Sequence, residues 1–108
     1  MDANVNRLPI TGLELRYALC VCLLDARSPL TVPQLVNRVE ALGFAVTGRP
    51  SKSVSDALRW EVRRGRIDRL GRGLYVSGSM PRSTEWWIRR RVRSRREAEV
   101  VAPTLAET

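Results

Sequence analysis

Ser51-Lys52-Ser53-Val54-Ser55-Asp56-Ala57-Leu58-Arg59-Trp60-Glu61-Val62-Arg63-Arg64 keeps a helical period up to Gly65, and there the period changes. The next stretch, Arg66-Ile67-Asp68-Arg69-Leu70-Gly71-Arg72-Gly73-Leu74-Tyr75-Val76, reads as two short strands, Ile67 to Leu70 and Leu74 to Ser77, around a glycine-rich turn. Ile67 and Leu70 have opposite parity in a regular strand, which predicts a bulge. On the helix, residues placed at 100° steps from Val54 put Leu58, Val62 and Ala57 at about 40°, 80° and 300°, an apolar stripe that holds it down. Lys52, Asp56, Arg59 and Arg63 fall between about 140° and 200°, with Ser55 at the edge, so the face opposite the core is cationic. Trp60, at about 240°, is expected to pack under the hairpin or the last helix.

Upstream, Val32, Leu35, Val36, Val39 and Leu42 recur at three- and four-residue steps. They predict a second helix capped by Thr31, with Pro33 in its first turn and Gly43 at its end. Before it, from Thr11 or Gly12 to Leu24, the apolar surface is so broad that this should be the central core helix, broken by Asp25 to Pro29. Phe44 to Pro50 reads as a loop with Phe44 and Val46 tucked inward, and Ser53 with Asp56 matches a capping box at the start of the third helix. Residues 1–11 form an arm, 12–82 a domain, 83–100 a basic helix capped by Ser83 or Thr84, and 101–108 a tail expected to be disordered.

The chain has 108 residues, 44% apolar and 28% charged, as expected of one compact domain. Its longest apolar run, Tyr17 to Leu24, is far short of the roughly 20 residues that span a bilayer, so no membrane association is expected. Cys20 and Cys22 diverge on a helix and cannot bridge each other, which suits a reducing cytoplasm. Histidine is absent, the two cysteines lack metal-ligand spacing, and neither a phosphate loop nor a dinucleotide fingerprint occurs. Neither catalysis nor a metal or cofactor is expected.

Charge is unevenly distributed. Residues 1–48 carry four arginines and four carboxylates; residues 49–96 carry fourteen arginines and Lys52 against Asp56, Glu61, Asp68 and Glu85. Such concentration suits a polyanion partner, because each phosphate contact releases condensed counterions.

In this order of elements the chain resembles the winged helix-turn-helix family over about Gly12 to Val92. The helix pair Thr31 to Leu42 and Ser51 to Arg64, followed directly by the Arg66 to Val76 hairpin, carries the likeness. One departure is the Gly43 to Pro50 connection, longer than the tight turn of many members, which leaves the docking angle open. The resemblance implies a mainly α fold with a small β-hairpin: a three-helix core, a wing and a C-terminal arginine-rich helix. It implies double-stranded DNA as partner, with the third helix in the major groove and the wing on the backbone or minor groove. Ser55 and Arg59 would face bases and Lys52 and Arg63 phosphate, with Ser51 and Asp56 in the same contact zone. Arg49, Arg66, Arg69 and Arg72 would meet phosphates on either side, Arg72 at the tip reaching the minor groove. Tyr75 is expected to be a half-buried strand residue.

In the last helix Ile88 and Val92 form a narrow seam. One of Trp86 and Trp87 is expected to dock on the core and the other to meet a partner subunit, giving a homodimer by analogy. The rival is a monomer whose Arg90 and Arg91 lie along phosphate. The expected role is a small cytoplasmic, nucleoid-associated regulator that represses by steric exclusion. The alternatives are an architectural DNA binder and a protein or RNA interaction module. All of them require the arginines after position 48 to be gathered on one surface.

Overall fold

The structure is a computed structural model that describes residues 7–107, with side chains for 7–97. At its centre is α1 (Gly12–Ala26), whose residues Leu15 and Tyr17 to Leu23 are all buried. A helix that is apolar all round must be covered all round, and α1 packs against α2 (Val32–Ala41), α3 (Pro50–Arg63), α4 (Arg82–Glu107) and a strand of the hairpin. It ends at Arg27, held in the left-handed region at φ 55° with its N–H donating to the Leu23 carbonyl.

α2 opens with a full capping box: Thr31 Oγ1 accepts from the Gln34 N–H at 3.3 Å, and Gln34 Oε1 accepts from the Thr31 N–H at 2.8 Å. α3 begins at Pro50, whose missing N–H is harmless in a first turn. The expected Ser53–Asp56 capping box does not form. Ser53 lies inside the helix and its hydroxyl donates to the Thr47 carbonyl at 2.8 Å, while Asp56 accepts from Lys52.

Three short strands went unread in the sequence because two or three residues display no period. β1 (Leu8–Ile10) lies parallel to β3 (Phe44–Val46), in register Leu8 to Phe44 and Ile10 to Val46. The expected loose arm is thus ordered from Leu8, although residues 1–6 lie outside the described part. The expected Gly43 to Pro50 loop supplies its partner, with Phe44 and Val46 buried as anticipated. β2 (Leu30–Thr31) joins the hairpin formed by β4 (Ile67–Gly71) and β5 (Leu74–Ser77), giving a three-stranded antiparallel sheet of order β2-β5-β4. The predicted bulge falls between Arg69 and Gly71, Gly73 turns the tip at φ 66°, and Tyr75 is half-buried. At the hairpin's base the Gly78 N–H donates to the Arg66 carbonyl at 2.9 Å.

The result is four helices with a small antiparallel sheet. α4 starts at Arg82, earlier than either expected cap, and its backbone stays helical to Glu107, through the stretch expected to be a disordered tail. Ile88 and Val92 are buried as the seam predicted.

Candidate nucleic-acid interface

α3 is anchored by Val54, Ala57 and Leu58, all buried, and its opposite side carries the exposed residues Lys52, Arg59 and Arg63, while Ser51 is exposed in its first turn. Lys52 pairs with Asp56 at 3.2 Å, an exposed pair worth about 0.3–0.5 kcal/mol that leaves the lysine easily diverted. Ser55 is half-buried at the edge of this face. Arg49, Arg59, Arg63, Arg64 and Arg72 have no carboxylate partner among the described residues. On the hairpin, Arg69 donates to the Gly71 carbonyl across the bulge at 3.1 Å, and Arg72 and Leu70 are exposed beside it. The structure therefore brings Lys52, Arg59 and Arg63 together on one face, with Arg49 at the helix start and Arg69 and Arg72 on the hairpin.

Two expectations fail. Arg66 does not flank the helix as a phosphate contact; it turns inward and grips Glu61 with two hydrogen bonds, Nε to Oε1 at 2.7 Å and Nη2 to Oε2 at 2.9 Å. Trp60 packs under neither the wing nor the last helix. It is 51% exposed, sandwiched between the guanidinium groups of Arg16 and Arg63 at 5.7 and 5.5 Å from its ring centre.

Glu61 is the residue whose role sequence reasoning missed. It is fully buried, accepts from Arg16 Nε at 2.9 Å as well as from Arg66, and takes the Cys20 thiol at 3.2 Å, joining α1, α3 and β4 through one carboxylate. The burial alone would favour the neutral acid, but the hydrogen bonds from Arg66, Arg16 and Cys20 overcome it and hold the carboxyl below its ordinary range. A signal was present: on the wheel Glu61 falls at about 340°, inside the apolar stripe, where a charge needs a partner. Arg16, interrupting the apolar run of α1, is the matching irregularity.

Burial, with help from Glu61, raises the Cys20 thiol, and burial pushes Cys22 up to about 12. Both are free, small core residues. Among the described residues no group of three or more His, Cys, Asp or Glu is placed to hold a metal ion, and no helix is long and apolar enough to cross a membrane.

On α4 neither tryptophan enters the core. Trp86 is 59% exposed under Arg90, at 5.2 Å, and Trp87 is 45% exposed under Arg91, at 5.4 Å, its ring edge-on to Tyr17. Ile88 and Val92 fill the buried seam, and of the two indoles, which leave the helix about 100° apart, Trp87 is the one that touches a core residue, Tyr17. The arginines after position 48 fall into two sets, one on α3 and the hairpin and another on α4. Compared with protein-family models, with curated proteins and with solved structures, the chain finds no match in any of the three.

Proposed function

We propose that this chain is a winged helix-turn-helix protein that binds double-stranded DNA and serves as a small transcriptional regulator, repressing by occupying its site. The topology supports the fold reading: α1, a short strand, α2, α3 and then a hairpin whose second strand pairs with that short strand. The observation that carries the functional reading is the outward side of α3. Arg59 and Arg63 stand there without carboxylate partners among the described residues, with Arg49, Arg69 and Arg72 on the neighbouring segments, while Val54, Ala57 and Leu58 fix the helix from behind. A major groove admits one helix of this kind, and an arginine fork matches the O6 and N7 acceptors of guanine. Arg59 and Ser55 take bases; Lys52, Arg63 and Arg49 take phosphate; Arg72 reaches the neighbouring minor groove. The chain acts by binding, without catalysis.

Selection from a random duplex pool, followed by affinity measurement with Arg59→Ala, tests this. A regulator prefers its site over random duplex by at least about 10³, and the substitution should weaken the selected site by about 5- to 150-fold, the equivalent of 1–3 kcal/mol. Unchanged affinity and unchanged preference would refute the assignment. A second reading, an architectural binder with little sequence preference, is favoured by the further set of arginines on α4.

A further inference from the structure

Along α4, Arg82, Trp86, Arg90 and Arg93 recur at steps of four, four and three, so they share one side of the helix, and Arg91 lies about 100° beyond Arg90. The side toward α1 is bound down. Ile88 and Val92 are buried, Arg89 donates to Asp25 at 2.8 Å and to Glu85 at 3.1 Å, and Arg95 approaches Glu14 at 3.6 Å. One helix thus divides its arginines: Arg89 and Arg95 meet carboxylates of α1, and Arg82, Arg90, Arg91 and Arg93 meet none among the described residues.

The contacts of α1 fix where this bare side points. Glu14, Tyr17 and Asp25 touch α4, whereas Arg16 and Cys20 touch Glu61 of α3. At 100° per residue Glu14, Tyr17 and Asp25 centre about 130° from Arg16 and Cys20 around α1, so α3 and α4 lie on different sides of it. α3 turns Arg59 and Arg63, and α4 turns Arg90 and Arg91, away from α1, so the two cationic surfaces diverge.

We propose that the outward side of α4 is a second duplex-binding surface, and that a single copy of the protein bridges two DNA segments. This rests on α3 and the wing holding the first. Arg82 to Arg93 covers eleven helical steps, about 16 Å of helix, long enough to meet several phosphates of one duplex. Trp86 and Trp87 hold Arg90 and Arg91 over their rings, so the forks are extended before the polyanion arrives. One short duplex cannot serve both surfaces, because DNA stays stiff over about 150 base pairs. A second copy of the chain is a poor occupant of this surface: α4 against α4 would set Arg90, Arg91 and Arg93 against their own kind.

The test uses the full chain and two duplexes of roughly 25 base pairs, one immobilised and one labelled in solution, a length too stiff to wrap the molecule. Wild type should retain the labelled duplex on the surface. The triple variant Arg90→Gln, Arg91→Gln, Arg93→Gln, folded by circular dichroism, should bind a single duplex with affinity within about threefold of wild type yet lose at least about tenfold of the labelled capture, since three phosphate contacts set a salt slope near −2.7. Binding of one duplex by wild type without capture of the second overturns the bridge and leaves the α3 reading standing. No duplex binding at all overturns both. Capture that survives the triple variant, or a free wild-type protein that sediments as a dimer and becomes a monomer in the variant, also overturns it.

Discussion

Glu61→Gln is the substitution that most directly probes how this fold holds α3 in place. The glutamine keeps the shape and one carbonyl acceptor but removes the charge that faces Arg16 at 2.9 Å and Arg66 at 2.7 Å. Removing one partner of a buried ion pair costs about 3–5 kcal/mol, because the remaining charge is left without compensation. Here the arginine side chains keep 15% and 18% of their exposure, so each recovers part of its hydration by turning outward, and about 2–4 kcal/mol is expected. For a domain near 100 residues each kcal/mol corresponds to about 4–8 °C, so the melting midpoint should fall by roughly 10–25 °C at neutral pH. Thermal and urea melts followed by far-ultraviolet circular dichroism measure it. The acid limb gives a second readout. Because the folded carboxyl titrates below its ordinary value, its stabilisation is complete above the unfolded value of about 4.3 and is lost as pH falls through the folded one. The gap between wild type and variant should therefore narrow in acid. A midpoint loss below about 4 °C, or a gap that widens as pH falls, would refute the description of Glu61 as a charged clamp.

Gly78→Ala should destabilise the hairpin base by about 1–3 kcal/mol in the same melts, because the new methyl would run into the Gly65 carbonyl oxygen and lie 2.9 Å from the carbonyl carbon of Arg66. Cys20 and Cys22 should resist a thiol-disulfide reagent in the native state at pH 8 and react at the rate of exposed thiols only in denaturant, since burial keeps both protonated. Arg72→Ala should lower the slope of log affinity against log salt by about one unit without moving the thermal midpoint; an unchanged slope would take the wing tip out of the interface.

These perturbations separate two roles that arginine has in one small chain. Arg16, Arg66 and Arg89 are structural: each meets a carboxylate across elements, and the hydrogen bonds to those carboxylates push Arg66 and Arg89 further above the ordinary arginine range. Arg59, Arg63, Arg72, Arg90, Arg91 and Arg93 have none among the described residues, so their charge is available to a partner. Tyr17 links the two groups, with Arg66 stacked on its ring at 5.7 Å and Trp87 against its edge at 5.6 Å. The total of +8 does not distinguish these roles; only the pairing does.

Helices α1 to α3 and the bulged hairpin were legible in the residues because each has a local cause: a 3.6-residue apolar stripe, Thr31 as a cap, Gly43 and Gly65 as stops, glycines at the turn. So was the cationic side of α3, since a residue's angle on a helix depends on spacing alone. The short strands β1, β2 and β3 were not legible, because their hydrogen bonds go to partners far along the chain and their own lengths carry no period. Nor was the fate of each arginine. Whether Arg66 meets Glu61 or solvent, and whether α4 turns its cations toward or away from those of α3, depends on which side of α1 each helix takes. That choice is made by packing between distant segments, where burying Ile88 and Val92 against α1 decides the orientation of every other side chain on α4.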